Sequence, residues 1–265
     1  MDLGLKGKVA IVTGGSYGIG RAAAWRMCDE GAKVVICARR EDVLQDAARE
    51  IEIRTEGTVL PIRANVADAG DISRVVQAAT QTFGRLDILV NNAGQSAAYP
   101  FESVTDEEWH ADFDLKLWAA IRFVREAIPH MRRAGGGRII NVTNLGAKTP
   151  GAGSVPTSVS RAAGIAVTKA LSKDLAKDNI LVTTVCIGLI KSGQHERRFA
   201  QANVQNPSLR LDEFYDQMSD ARNLPLGRIG EAEEAGDVIA FLASERASYL
   251  TGIAVNIDGG ASPVT

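Results

Sequence analysis

The chain has 265 residues, of which 30 are basic and 32 acidic, leaving a net charge of −2. That length suits one sizeable core, and basic residues scattered rather than striped exclude a nucleic-acid-binding face. No apolar run reaches the ~18 residues of a membrane span and residues 1–8 hold no apolar signal core, so a soluble, cytoplasmic protein with no membrane partner is expected.

Along the chain, strand-length apolar runs alternate with helical spacing. Residues 9–13 read as a buried strand, and 19–30 as a helix stopped by Gly31. A strand is expected over 33–37. An amphipathic helix follows over 42–54, with Val43, Leu44, Ala47, Ala48 and Ile51 on one face. Strands over 59–63 and 86–91 flank a helix over 71–83 that ends at Gly84. Thr105 and Glu108 form a capping box, so a long helix starts there and runs towards Met131. A strand over 138–143, a helix over 158–177, a strand over 180–187, a helix over 232–244 and a strand over 254–257 complete the series. This predicts an α/β fold in one domain spanning 1–265, a doubly wound parallel sheet with helices on both faces. Residues 191–228 break the alternation. They are mostly polar, with Pro207 and Pro225, and predict a helical flap over the carboxyl edge of the sheet. The three cysteines, Cys28, Cys37 and Cys186, sit apart in apolar contexts and read as buried thiols of a reduced compartment. No spacing of His, Cys and Asp suggests a metal site.

Residues 13–20 read Thr-Gly-Gly-Ser-Tyr-Gly-Ile-Gly, between the first strand and the first helix. Glycines there let the backbone approach a phosphate, and a helix N-terminus offers unpaired N–H groups and a positive dipole end. A dinucleotide site is expected, with Gly14, Gly18 and Gly20 at the phosphate and Ser16, Tyr17 and Ile19 between them. A ligand-free strand-to-helix turn would also use these glycines. The next strand ends in Cys37-Ala-Arg-Arg40, with no acidic residue for free ribose hydroxyls. Arg39 suits a 2′-phosphate, which favours NADP(H) over NAD(H); the alternative is that Arg39 and Arg40 only cap a surface turn.

Further segments extend the pattern: Asn91-Asn-Ala-Gly94, Ile187-Gly-Leu-Ile-Lys-Ser192, Pro225-Leu-Gly-Arg228, and Tyr249-Leu-Thr-Gly252 through Asp258-Gly-Gly260. With them the chain resembles the short-chain dehydrogenase/reductase (SDR) family along almost its full length. The resemblance implies a Rossmann-like single domain that acts on a small-molecule substrate, usually as a homotetramer. A homodimer, or a hetero-oligomer with an active homologue, are the other assemblies considered. It implies that Asn91, Asn92, Ala93 and Gly94 support the adenine end and the central sheet. Asn65, followed by Val66, stands where the family often has an aspartate near the adenine ring. The backbone of Ile187, Gly188, Leu189 and Ile190, with Ser192, is expected to contact the nicotinamide.

The family's chemistry rests on an asparagine in the long helix and on a spaced Ser, Tyr and Lys. Alignment through Trp109 and Asp114 puts the asparagine position at Lys116, and alignment through the 138–143 strand puts the serine position at Asn144. The tyrosine position then falls on Thr157 and the lysine position on Arg161, so all four depart from the pattern. A threonine hydroxyl can hydrogen-bond an oxygen but is too weak an acid to be a proton reservoir. Asn144 can donate a hydrogen bond to a substrate oxygen. Arg161 keeps a positive charge for ribose hydroxyls but stays protonated. Lys116 is the new group able to titrate, and partial burial near Arg161 should lower its pKa; the alternative is that it snorkels to solvent.

Tyr99 lies in a loop that lines the substrate cleft in the family. Tyr17 is expected to pack inside its turn, and His195 and Tyr215 to be surface residues of the flap. Trp109 and Trp118 read as core or subunit-contact residues, His110 and His130 as solvated ones. Three functions are consistent with this pattern. One is a divergent NADP(H)-dependent oxidoreductase of a carbonyl or alcohol with a non-standard proton donor; Lys116 with Arg161 would then favour an anionic substrate. The others are a catalytically inactive nucleotide-binding subunit, and a non-redox lyase, isomerase or hydrolase using Lys116.

Overall fold

Strand β1 (Val9–Thr13) is buried along its whole length in the computed structural model, which describes residues 2–265. Its side chains alternate between two cores: Val9 and Ile11 pack on one face of the sheet, Ala10 and Val12 on the other. A strand covered on both sides has no polar face, which is why its sequence reads as an unbroken apolar run. The other strands are β2 (Lys33–Ala38), β3 (Thr58–Arg63), β4 (Ile88–Asn91), β5 (Ala98–Tyr99), β6 (Gly137–Asn144), β7 (Val155–Pro156), β8 (Ile180–Ile187) and β9 (Ala254–Ile257). Seven of them form one parallel sheet in the order β3-β2-β1-β4-β6-β8-β9, and β5 and β7 pair as a separate antiparallel ribbon.

Helices α1 (Gly18–Asp29), α2 (Glu41–Thr55) and α9 (Ala232–Ala243) cover one face. Helices α3 (Ala69–Phe83), α5 (Ala119–Arg133) and α6 (Thr157–Asp174) cover the other. This is the doubly wound, single-domain α/β architecture. Its strand order reverses between β1 and β4, so the loops leaving their carboxyl ends diverge and open a crevice.

The expected elements are present, with ends shifted by a few residues. Helix α3 starts earlier than its apolar spacing suggests because Asp68 caps it, accepting from the Asp71 amide at 2.9 Å. The capping box at Thr105 and Glu108 starts α4 (Asp106–Phe113). The helix does not run evenly from there: a single π-turn, Asp114–Trp118, separates α4 from α5. Beneath the crevice, polar side chains link the layers. Asn91 donates to Asn141, Asn141 to Thr168, and Thr184 to Thr168, at 2.8–2.9 Å.

Residues 191–228 form α7 (Gly193–Gln205) and α8 (Leu211–Ala221). A bridge between Ile190 and Gly230 closes their base. Tyr215 and Leu224 from this segment form a small core with Ile229, so Tyr215 is buried rather than on the surface as expected. Trp118 is half-exposed, whereas Trp109 packs on Phe113 with ring centroids 6.1 Å apart. His110 is exposed, and His130 meets Arg133 at 2.7 Å. Cys28, Cys37 and Cys186 are buried free thiols. Among the described residues no helix is long and apolar enough to cross a membrane.

Candidate active site and cofactor cleft

The glycine-rich turn is held mostly by main chain. Gly14 and Gly18 adopt φ +66° and +54°, which L side chains rarely allow. Asn92 braces the turn, its amide donating to the Thr13 carbonyl at 2.9 Å and to the Gly14 carbonyl at 3.3 Å. The Thr13 hydroxyl accepts from the Asn92 and Ala93 amides at 2.9 and 3.0 Å. No atom lies within 4 Å of where a Gly18 Cβ would be, so that corner is open at the start of α1. Gly20 has a structural duty of its own in the turn. A Cβ there would collide with the Gly14 carbonyl and the Asn92 amide, so Gly20 permits the turn to close on itself. Ser16 is buried, and Ile19 points into the core of the α1 face.

Beside the turn, Arg39, Arg63, Ala64, Asn65, Asp71 and Arg74 line an open pocket past the ends of β2 and β3. Register explains it: Ala38 pairs with Arg63, so Arg39 leaves its strand next to that second arginine. Arg74 is tied to Asp71 at 2.5 Å. Asn65 is used locally, its Oδ1 accepting from the Ala67 amide at 3.2 Å, and Val66 is buried. The pocket therefore offers guanidinium charge and the neighbouring turn offers open backbone, and both fit phosphate groups of a dinucleotide.

Across the crevice, α4, the π-turn and α6 bring Lys116, Thr157 and Arg161 together. Lys116 is buried beyond the partial burial expected and does not snorkel: its side chain is 1 % exposed and that of its ion-pair partner Asp112 is 2 % exposed. Lys116 Nζ donates to Asp112 Oδ1 and, at 2.7 Å, to Thr157 Oγ1. Burial and the charge of Arg161 bring the Lys116 pKa down to about 8, against the upward pull of Asp112. Asp112 Oδ2 accepts from Ser160 Oγ at 2.6 Å. Thr157 is pinned by the β5–β7 ribbon, its Oγ1 accepting from the Ala97 amide at 2.9 Å. Arg161 Nη1 donates to the Val142 carbonyl, and the lack of a side chain at Gly94 makes room for its guanidinium. Burial lowers Arg161 to about 10, so it remains a cation at neutral pH. Asn144, at the end of β6, has a buried Oδ1 without a hydrogen-bond partner.

The segment expected at the nicotinamide runs from the end of β8 into α7. Gly188 passes tightly over Asp258, where a Cβ would stand 2.8 Å from its Cα. Ile190 is buried, and Ser192 is the N-cap of α7 with its hydroxyl uncommitted to the cap. Tyr17 does not pack inside its own turn: its ring lies against Gly193 and its hydroxyl donates to Glu196 of α7. Partial burial and that hydrogen bond push its pKa up to about 12. His195 is half-buried, with an unpartnered Nδ1, and burial lowers its pKa. Tyr99 is exposed on β5.

Sequence reasoning missed Asp112, Ser160, Arg63 and Arg74. Asp112 had a legible signal, since an acid four residues before a lysine on one helix is an ion-pair spacing. Arg63 needed the strand register, and Glu196 lies too far along the chain from Tyr17 for any local cue.

Fold, turn and crevice together define a dinucleotide-binding α/β protein of the Rossmann class. Residues 14–262 match the family described as "Enoyl-(Acyl carrier protein) reductase". The chain is 34% identical over 256 residues to 3-oxoacyl-(acyl-carrier-protein) reductase FabG of Thermotoga maritima, covering 97% of this chain and 98% of that one. Among solved structures, L-sorbose reductase of Gluconobacter frateurii, complexed with NADPH and L-sorbose, superposes with a TM-score of 0.95 at 34% identity and full coverage of both chains. An NADPH-bound short chain oxidoreductase of Pseudomonas aeruginosa PAO1, described as containing an atypical catalytic center, superposes with a TM-score of 0.90 at 34% identity, over 97% of this chain and 98% of that one. The chain belongs to the short-chain dehydrogenase/reductase family.

Proposed function

We propose that this chain is an NADP(H)-dependent oxidoreductase of a small-molecule carbonyl or alcohol, in which Lys116 supplies the proton through Thr157. In this reading the family's Asn, Ser, Tyr and Lys positions are held by Lys116, Asn144, Thr157 and Arg161. The observation that carries it is the 2.7 Å hydrogen bond from Lys116 Nζ to Thr157 Oγ1 in a water-poor setting. Thr157 Oγ1 accepts twice, from Lys116 and from the Ala97 amide, which occupies both lone pairs. Its own proton has no firm protein acceptor, since the nearest, Asp112 Oδ1, is 3.5 Å away. Thr157 thus acts as a conduit and Lys116 as the reservoir that a threonine alone could not be.

Bound reduced nicotinamide supplies the hydride. The remaining work falls to side chains: Asn144 orients the substrate oxygen, Thr157 donates its proton to it, and Lys116 restores the proton on Thr157 and ends as a neutral amine. The glycine turn, Asn92 and Gly94 would hold the dinucleotide, with Arg39 and Arg63 on its 2′-phosphate and Arg161, Ile187, Gly188, Ile190 and Ser192 near its nicotinamide end. Three things support NADP(H) over NAD(H): those arginines, the absence of an acid at the end of β2, and NADPH in the relatives' crystals. Asp112 offsets the charge of Lys116, so the expectation of an anionic substrate now leans on Arg161 alone. We further read residues 191–228 as the substrate flap and the assembly as a homo-oligomer.

A second reading is favoured by how completely the Asp112–Lys116 pair is sealed: the cluster would be a polar plug in a nucleotide-binding subunit without turnover. A lysine imine, the basis of a non-redox reading, has no support here, because Lys116 is ion-paired and closed off from solvent. One experiment separates these. The purified protein is titrated with NADPH and NADH, then assayed for NADPH oxidation with L-sorbose, a 3-oxobutanoyl thioester and an aromatic ortho-quinone. Turnover is expected, and Lys116→Met should cut kcat by about 10²–10⁴-fold with NADPH affinity unchanged. NADPH binding with no oxidation of any probe would establish the second reading instead.

A further inference from the structure

We propose that Asp112 is a positioning residue for proton delivery, fixing the Lys116 ammonium against Thr157 and keeping it charged. The inference rests on the reading that Lys116 is the proton source. Asp112 has both carboxylate oxygens engaged: Oδ1 accepts from Lys116 and Oδ2 from Ser160 at 2.6 Å. The carboxylate is therefore held at both ends and cannot rotate away from the amine. The pair spans i to i+4 from the last turn of α4 into the π-turn, so its two side chains meet from one stretch of backbone. The charged groups facing Lys116 are Asp112 on its own helix and Arg161 on α6. The hydroxyls facing the cluster, Thr157 and Ser160, both come from α6.

These neighbours pull in opposite directions. An ammonium at that depth beside a guanidinium sheds its proton, because burial and like charge both disfavour the charged form. A nearby carboxylate restores it. Without Asp112 the amine would be neutral at neutral pH and would have nothing to give Thr157. The cluster of Asp112, Lys116 and Arg161 carries one net positive charge before delivery and none after it. The proton balance is complete: the substrate oxygen gains the Thr157 proton, Thr157 gains one from Lys116, and after product leaves the amine is recharged by the same route in reverse, through the Thr157 hydroxyl.

The test uses the full-length protein and its Asp112→Asn and Asp112→Glu variants. Two readouts are taken: the pH profile of NADPH oxidation with whichever probe turns over, and the pH titration of lysine Cε shifts in ¹³C-lysine-labelled protein without cofactor. Lys116→Met identifies the Lys116 signal. Asp112→Asn is expected to move both the alkaline limb and the Lys116 titration down by about one to three pH units. Asp112→Glu keeps the charge but displaces it by one methylene, so the limb should hold within half a unit while kcat falls about tenfold. If Asp112→Asn does not fold, Asp112→Glu carries the test, and an unchanged kcat in it overturns the proposal. Asp112→Asn with both the limb and the titration unmoved also overturns it, while leaving Lys116 as the proton source. Full turnover in Lys116→Met would instead overturn the proton-source reading, and this role with it.

Discussion

The two walls of the crevice are built from different materials. On the β1–α1 side, the turn is shaped by main-chain amides, carbonyls and glycines, and its working surface at Gly18 is open. On the α4–α6 side, side chains do the shaping: Asp112, Lys116, Thr157 and Ser160 satisfy one another in a closed cluster. The first wall would recognise a phosphate through geometry that any correctly bent backbone supplies. The second depends on the identity and charge of each partner, so a single substitution changes its chemistry without changing its shape. On the proposed reading, one fold keeps its cofactor cradle while its proton chemistry is rebuilt.

Three measurements sharpen that contrast. The largest effect is expected on the main-chain wall. Gly20→Ala places a methyl against the Gly14 carbonyl and the Asn92 amide, and should cost about 1–3 kcal/mol of stability with a lower Tm. An unchanged melting curve would show that the turn is not the rigid frame described. Next, the double change Arg39→Ala with Arg63→Ala should weaken NADPH binding by about 10–100-fold and leave NADH binding nearly unaltered, since it removes charge-assisted hydrogen bonds only one of the two can make. Equal loss for both cofactors in a fluorescence titration would mean that these arginines hold the turn rather than the 2′-phosphate. The side-chain wall is probed through pH, and nearest neutral pH its effect is the smallest of the three. In the proposed role Lys116 must be protonated for reduction, and burial with the charge of Arg161 brings its pKa to about 8. The reduction rate should hold below that pH and fall by up to about tenfold per unit above it, while alcohol oxidation rises towards the same pH and levels off. A flat reduction profile from pH 7 to about pH 10 would remove Lys116 from proton delivery.

Legibility in the sequence followed the same division. The strands were readable because burial on both faces leaves runs such as Val9–Thr13 with no polar interruption, and the helices because their apolar residues repeat at helical spacing. The glycine turn was readable because its requirements are local: a strand, a helix and residues that tolerate positive φ. Lys116, Thr157 and Arg161 were found through their positions in a family pattern, but their environment was not. Burial of Lys116 depends on α6 packing over the π-turn, which the chain order alone does not show. Its charge state depends on Asp112, whose helical spacing was visible but meaningful only once both side chains were known to face inwards. Tyr215 was misjudged for a related reason, since its core is assembled from Leu224 and Ile229 beyond its own helix. Tyr17 needed the fold to bring α7 and its Glu196 alongside.

The π-turn at Asp114–Trp118 has a consequence for how this wall can vary. Each residue of an α-helix advances it by about 100°, so one extra residue in a widened turn resets the phase of everything that follows. Asp112 precedes the widened turn and Lys116 lies within it, both buried against α6, while Phe123, Ala127 and Met131 fill the core beyond it. The widened turn works as a gear between two helical segments that would otherwise rotate together. Removing a single residue from it would force a choice between seating the ion pair and packing α5.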